Sequence, residues 1–143
     1  MKAIHVFLTG LIIFIISLTQ TAVLTDKGSN GVHALVCLLL GWAESSGGKS
    51  WFANPLIFTS WIFLLFKKTK ISIVISLLAT CLALSYLSAD TITVDEAGHK
   101  SLIAGYGAGF YLWISSCVLT CVGGIALLLY PVKSVEPVHN KSL

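Results

Sequence analysis

Residues 54–88 read NPLIFTSWIFLLFKKTKISIVISLLATCLALSYLS, and this stretch decides the fold class. Two apolar runs flank Lys67-Lys68-Thr69-Lys70. Apolar runs approaching about 20 residues match the thickness of a bilayer's hydrocarbon core. Three lysines between two such runs need water, so the spacing predicts an antiparallel helical hairpin turning at a membrane surface. Asn54-Pro55 is a helix-start signal: Asn caps well, and Pro is tolerated in the first turn because its missing N–H would have no partner there. Trp51 and Phe52 stand before it, at interface depth. The spans predicted here are 51–68 and 71–88. The first is slightly short, and snorkelling lysine stems extend it.

Working outward, Ile4 to Val23 is another apolar run behind Lys2. It is expected to be a retained first span (4–23) and not a cleaved leader, because Gln20 occupies a position where leader processing needs a small residue. Residues 24–32, with Asp26, Lys27, Gly28 and Gly31, read as a turn. The segment 33–43 is apolar but short. Ten or eleven helical residues reach only about 16 Å, so it is expected to lie at the interface or re-enter, and a five-span topology is the weaker alternative. Downstream, Ala89 to Lys100 reads as a polar loop, and the last span is 106–130, stopped by Pro131. The expectation is an all-α membrane protein: a four-transmembrane-helix bundle, with residues 1–143 forming a single integral membrane domain.

Composition agrees. The 143 residues are 56% hydrophobic and 10% charged, with a mean hydropathy of +0.90; soluble domains carry about 25% charged residues. All nine basic residues are Lys, which lack the bidentate fork that Arg offers phosphate. They form no basic stripe, and nucleic acid is excluded as a partner. Placing Lys67, Lys68 and Lys70 in the cytoplasm puts both termini there too. Lys2, Lys133 and Lys141 join that side, leaving Lys27, Lys49 and Lys100 outside, as the positive-inside rule requires. The short loops fit a bacterial inner membrane.

Motifs that would carry chemistry fail on inspection. Ser46-Gly47-Gly48-Lys49-Ser50 ends like a phosphate-binding loop, but Ala43 stands where that pattern needs Gly, and no strand–helix setting surrounds it. Cys37, Cys81, Cys117 and Cys121 include no Cys-x-x-Cys; an apolar setting disfavours thiolates, so they read as small apolar residues. The four histidines are dispersed, and Asp95, Glu96 and His99 read as solvated loop charges rather than a metal site. No catalytic residue, metal or cofactor is expected. Transport normally places ionisable residues inside the spans, and the interior of all four has none; His5 sits at the inner edge of the first.

The spans do carry small and hydroxyl residues at helical spacing: Ser72, Ser76 and Thr80 in the third, Ser116, Thr120 and Gly124 in the fourth. In lipid such stripes allow close backbone approach and interhelical hydrogen bonds. Packing within the chain is the favoured reading, with a partner face as the alternative. Gly105 to Gly109 is expected to let the outer loop pack closely on the last helix. Outside, Trp42, Glu44, Trp51, Asp95, Glu96 and His99 are the candidates for recognition. The expected function is non-enzymatic contact in the lipid bilayer with another membrane protein or a second copy, as an accessory subunit, assembly factor or immunity-type protein. An oligomeric transporter or channel lined by Ser72, Ser76 and Thr80 is the alternative. An enzyme acting on lipid or thiol ranks third.

Overall fold

The computed structural model describes residues 2–26, 31–43, 48–93 and 98–130. Along the chain come α1 (Ala3–Leu18), β1 (Thr21–Thr25), β2 (Val32–His33) and α2 (Ala34–Leu40). A helical turn, Gly41–Ala43, follows. Then come α3 (Gly48–Trp51), α4 (Ala53–Leu65), α5 (Thr69–Ser85, extended by a turn to Ser88), β3 (Thr91–Thr93), β4 (Lys100–Tyr106) and α6 (Ala108–Leu129). The fold is mostly helical, with a small curled sheet, and this corrects the all-α expectation.

The first predicted span is too long at its C-terminal end. α1 stops at Leu18, where Ser17 just before it and Thr19, Gln20 and Thr21 just after it compete for backbone hydrogen bonds. Ser17 Oγ donates to Phe14 O and Thr19 Oγ1 to Ile16 O, closing the last turn locally. Thr21 to Thr25 then extends as β1. The predicted polar loop 89–100 is corrected as well: β3 and β4 pair antiparallel, with Thr91 opposite Leu102 and Thr93 opposite Lys100. β4 also pairs with β1, placing Val23 opposite Tyr106. The strand order is β2-β1-β4-β3, so two loops far apart in sequence share one sheet.

Two helices are long and apolar enough to cross a membrane, Thr69–Ser88 and Ala108–Leu129. α1 and α4 are shorter, with 16 and 13 residues, or about 24 and 20 Å. Four span-length helices are therefore not present among the described residues, although α1, α4, α5 and α6 pack side by side. α1 and α6 run antiparallel, with Val6 against Gly123, Gly10 against Thr120 and Ser17 against Gly109. The core centres on Trp61, whose ring meets Phe7, Phe14 and Phe58. Outward faces are apolar and exposed, as with Ile12, Ile15, Val74, Leu77, Leu78 and Val122.

The α4–α5 turn puts Lys67, Lys68 and Lys70 at the end opposite the sheet. Lys68 N donates to Phe63 O and Lys67 N to Leu64 O. Lys67 takes the left-handed conformation, φ 58°, as the capping residue of a Schellman-type stop usually does.

Candidate functional site

The stripe residues face inward. Ser72, Ser76, Ser116 and Thr120 are fully buried, Gly124 is buried and Thr80 half-buried. Ser60 Oγ donates to Ser72 O, with the two hydroxyls 2.9 Å apart, joining α4 to α5. Ser116 Oγ donates to Gly10 O at 2.9 Å, joining α6 to α1. Thr120 Oγ1 accepts from Trp61 Nε1 at 2.9 Å and donates to Ser116 O, joining α6 to α4. Ser76 Oγ and Thr80 Oγ1 bond within their own helix, to Ile73 O and Ser76 O. A Cβ on Gly124 would sit 2.9 Å from Ile73 Cγ1, so this glycine sets the α5–α6 approach. The stripe is thus occupied by contacts of this chain.

At the other end the sheet, α2 and α3 form a head over the bundle. Gly109 makes the head and bundle meet: a Cβ there would lie within about 3.0 Å of the Ser17, Gln20 and Thr21 carbonyls. Gly107 N donates to Ala22 O. Tyr106 stacks on Phe110 at 4.4 Å, its hydroxyl donates to Tyr86 O, and Tyr86 packs against both rings. Burial, then the negative charge of Asp90 and the neighbouring Tyr111, hold the Tyr106 phenol above its ordinary pKa near 10.

Beneath the sheet lies a cavity of about 560 Å³. Phe14, Asn54 and Trp113 line it from the helices, Val23 and Ile92 from the sheet, and Leu38 from α2. The expected role of Asn54 as a helix cap is not what the structure shows. α4 starts at Ala53, with Phe52 as its cap residue, so Asn54 lies inside the first turn. Its side chain turns inward and is only 6% exposed. Trp113 Nε1 donates to Asn54 Oδ1 at 2.9 Å. An indole N–H can only donate, which fixes which end of the amide is oxygen. The amide nitrogen makes no hydrogen bond to the described residues, and no fully occluded side-chain donor among them lacks a partner. That nitrogen is therefore not fully occluded, and Asn54 lines the cavity.

The recognition candidates divide. Glu44, Asp95 and Glu96 lie outside the described residues. Trp42 is 64% exposed, its Nε1 donating to Leu39 O. Trp51 is half-buried, lines the cavity and donates to Leu38 O at 2.7 Å, tying α3 to α2. His99 is exposed at the start of β4, and neither it nor Trp42 lines the cavity. Asn54 and Trp113 were missed as a pair; the signal was a lone amide inside an apolar run, which burial tolerates only with a partner.

Cys117 and Cys121 are buried in α6, Cys37 is half-buried in α2 and Cys81 is exposed on α5. No group of three or more metal-binding side chains comes together among the described residues. No protein-family model, no curated protein and no solved structure matches the chain.

Proposed function

We propose that this chain is a multi-pass membrane protein whose α1, α4, α5 and α6 all cross a bilayer, with both termini in the cytoplasm. It acts without catalysis, through contacts that its outer head makes with another membrane protein, as an accessory subunit, assembly factor or immunity-type protein. The observation that carries the reading is the inverted burial of the two longest helices. Within their most apolar windows only 22% and 28% of residues are buried, whereas a soluble core helix hides its most apolar stretch. Water does not tolerate an exposed belt including Ile12, Val74, Leu77, Leu78, Val122 and Leu129; lipid does. The short α4 is accommodated by local thinning and by lysine stems reaching the interface.

The head supports the contact part. Ser72, Ser76, Ser116 and Thr120 are spent on internal packing, which favours contact over a pore lined by Ser72, Ser76 and Thr80. The sheet, by contrast, joins both outer loops into one body bearing Trp42 and His99.

Two measurements test this. Labelling with a membrane-impermeant maleimide is expected to reach a His99→Cys variant from outside and a Lys70→Cys variant only after the membrane is opened. Photocrosslinkers placed at Trp42 and His99 in native membranes are expected to capture one dominant partner at near-stoichiometric yield. Self-crosslinks alone, or none, would overturn the contact reading.

A further inference from the structure

The cavity beneath the sheet is built to be filled. Its volume, about 560 Å³, falls within the usual span of small-molecule sites, roughly 300–1,000 Å³. Its lining among the described residues contains no Asp, Glu, Lys, Arg or His, so whatever part of a ligand enters is uncharged. The walls are aliphatic and aromatic, from Phe14, Val23, Leu38, Ile92, Phe110 and Trp113.

Polar side chains interrupt them, among them Asn54, Ser17, Ser50, Tyr86 and Thr93. Asn54 lines the cavity and is almost wholly buried, Trp113 occupies its oxygen, and its amide nitrogen makes no hydrogen bond to the described residues. The nitrogen is not fully occluded, so it is free to donate to an oxygen that enters the cavity. The two buried hydroxyls of the lining are already engaged: Ser17 Oγ donates to Phe14 O, and Ser50 Oγ lies 3.0 Å from Ser85 Oγ.

We propose that the cavity holds one lipid molecule whose uncharged apolar body carries a carbonyl oxygen, and that this oxygen accepts a hydrogen bond from Asn54 Nδ2. The inference rests on the membrane reading above, which puts the cavity at the outer end of the helices, where lipid carbonyls are abundant. A fatty acyl ester and a prenylated quinone present the same chemistry, a neutral carbonyl on an apolar body.

The test reconstitutes the full chain in nanodiscs of diether phosphatidylcholine, which has no ester carbonyl. The discs are doped with either palmitoyl-oleoyl phosphatidylcholine or a prenylated benzoquinone. The protein is then re-extracted in mild detergent, and retained lipid per chain is counted by mass spectrometry. About one ester lipid or one quinone per chain is expected to survive washing that removes the diether lipid, and whichever is retained identifies the source. Asn54→Leu is expected to weaken retention about five- to tenfold, the loss of one hydrogen bond. Ala34→Phe, which enlarges a buried lining residue at the start of α2, is expected to abolish retention while the protein stays monodisperse. It carries the test if Asn54→Leu does not fold. Equal retention of diether and ester lipids, retention unaffected by either variant, or no stoichiometric lipid on the wild type would each overturn the proposal. The maleimide labelling of His99→Cys and Lys70→Cys reports separately on the membrane reading.

Discussion

Replacing Thr120 by Val tests whether the polar stripe of α6 holds the bundle together. The two side chains have nearly the same shape, so packing is conserved and the hydroxyl alone is lost. Two hydrogen bonds go with it, one accepted from Trp61 Nε1 and one donated to Ser116 O, both 2.9 Å. The second matters little, because Ser116 O keeps its place in the helix ladder. The first matters more. Trp61 is 3% exposed and ringed by Phe7, Phe14 and Phe58, so its N–H is stranded without an acceptor. Leaving a buried donor unpaired costs about 1–3 kcal/mol. Measured interhelical bonds in lipid average about 0.6 and reach about 1.7 kcal/mol, because the unfolded chain in a membrane also finds partners. The expected loss is therefore about 1.5 kcal/mol, read from reversible unfolding in mixed micelles. Thr120→Ser keeps both bonds and drops one methyl, for at most about 0.8 kcal/mol. Trp61→Phe removes the donor, and the double variant is expected to show coupling of about 1 kcal/mol. A Thr120→Val cost below about 0.3 kcal/mol with no coupling to Trp61→Phe would refute the reasoning and reopen the stripe as a partner face.

Three further outcomes are expected. Gly109→Ala drives a Cβ against three backbone carbonyls at about 3.0 Å; none of these can rotate away, so a loss of about 3 kcal/mol is expected, seen as a lowered thermal midpoint. Lys67→Gly relieves a left-handed residue at φ 58° and is expected to raise stability by about 0.5–1 kcal/mol, with topology checked by the maleimide labelling. Tyr106, whose folded pKa lies above its unfolded value, contributes stability that is fully present below pH 10 and lost as pH rises through the folded value. Tyr106→Phe is expected to remove the late phenolate absorbance step and to flatten that alkaline loss.

Much of the helical framework was legible from residue chemistry. Lys67 to Lys70 interrupt two apolar runs, and charged side chains must reach water, so the α4–α5 hairpin follows locally. Ser72, Ser116 and Thr120 repeat at helical spacing, which predicts that they share a face but not which neighbour they meet. The sheet was hidden for a different reason. In β4 polar Ser101 is buried and apolar Leu102 exposed, which masks the inward packing of Ile103 and Tyr106 from a search for alternating apolar residues. The β-branched runs at 21–25 and 91–94 were the available signal, and the first was absorbed into an apolar run that continues from α1.

By itself, then, the sequence determined the mostly helical class, the apolar belt, the lysine-bearing end and the absence of a recognisable catalytic motif. These depend on how individual side chains partition between water and an apolar medium, which composition and spacing encode. Only the tertiary structure decided that α1 ends at Leu18 and that residues 21–25 pair with residues 100–106. It also decided that Asn54 meets Trp113 beneath the sheet. Those outcomes depend on which backbone groups find partners across some eighty residues of chain, and on close approaches such as Gly109 against the Thr21 carbonyl, a relation between distant atoms that no local pattern records.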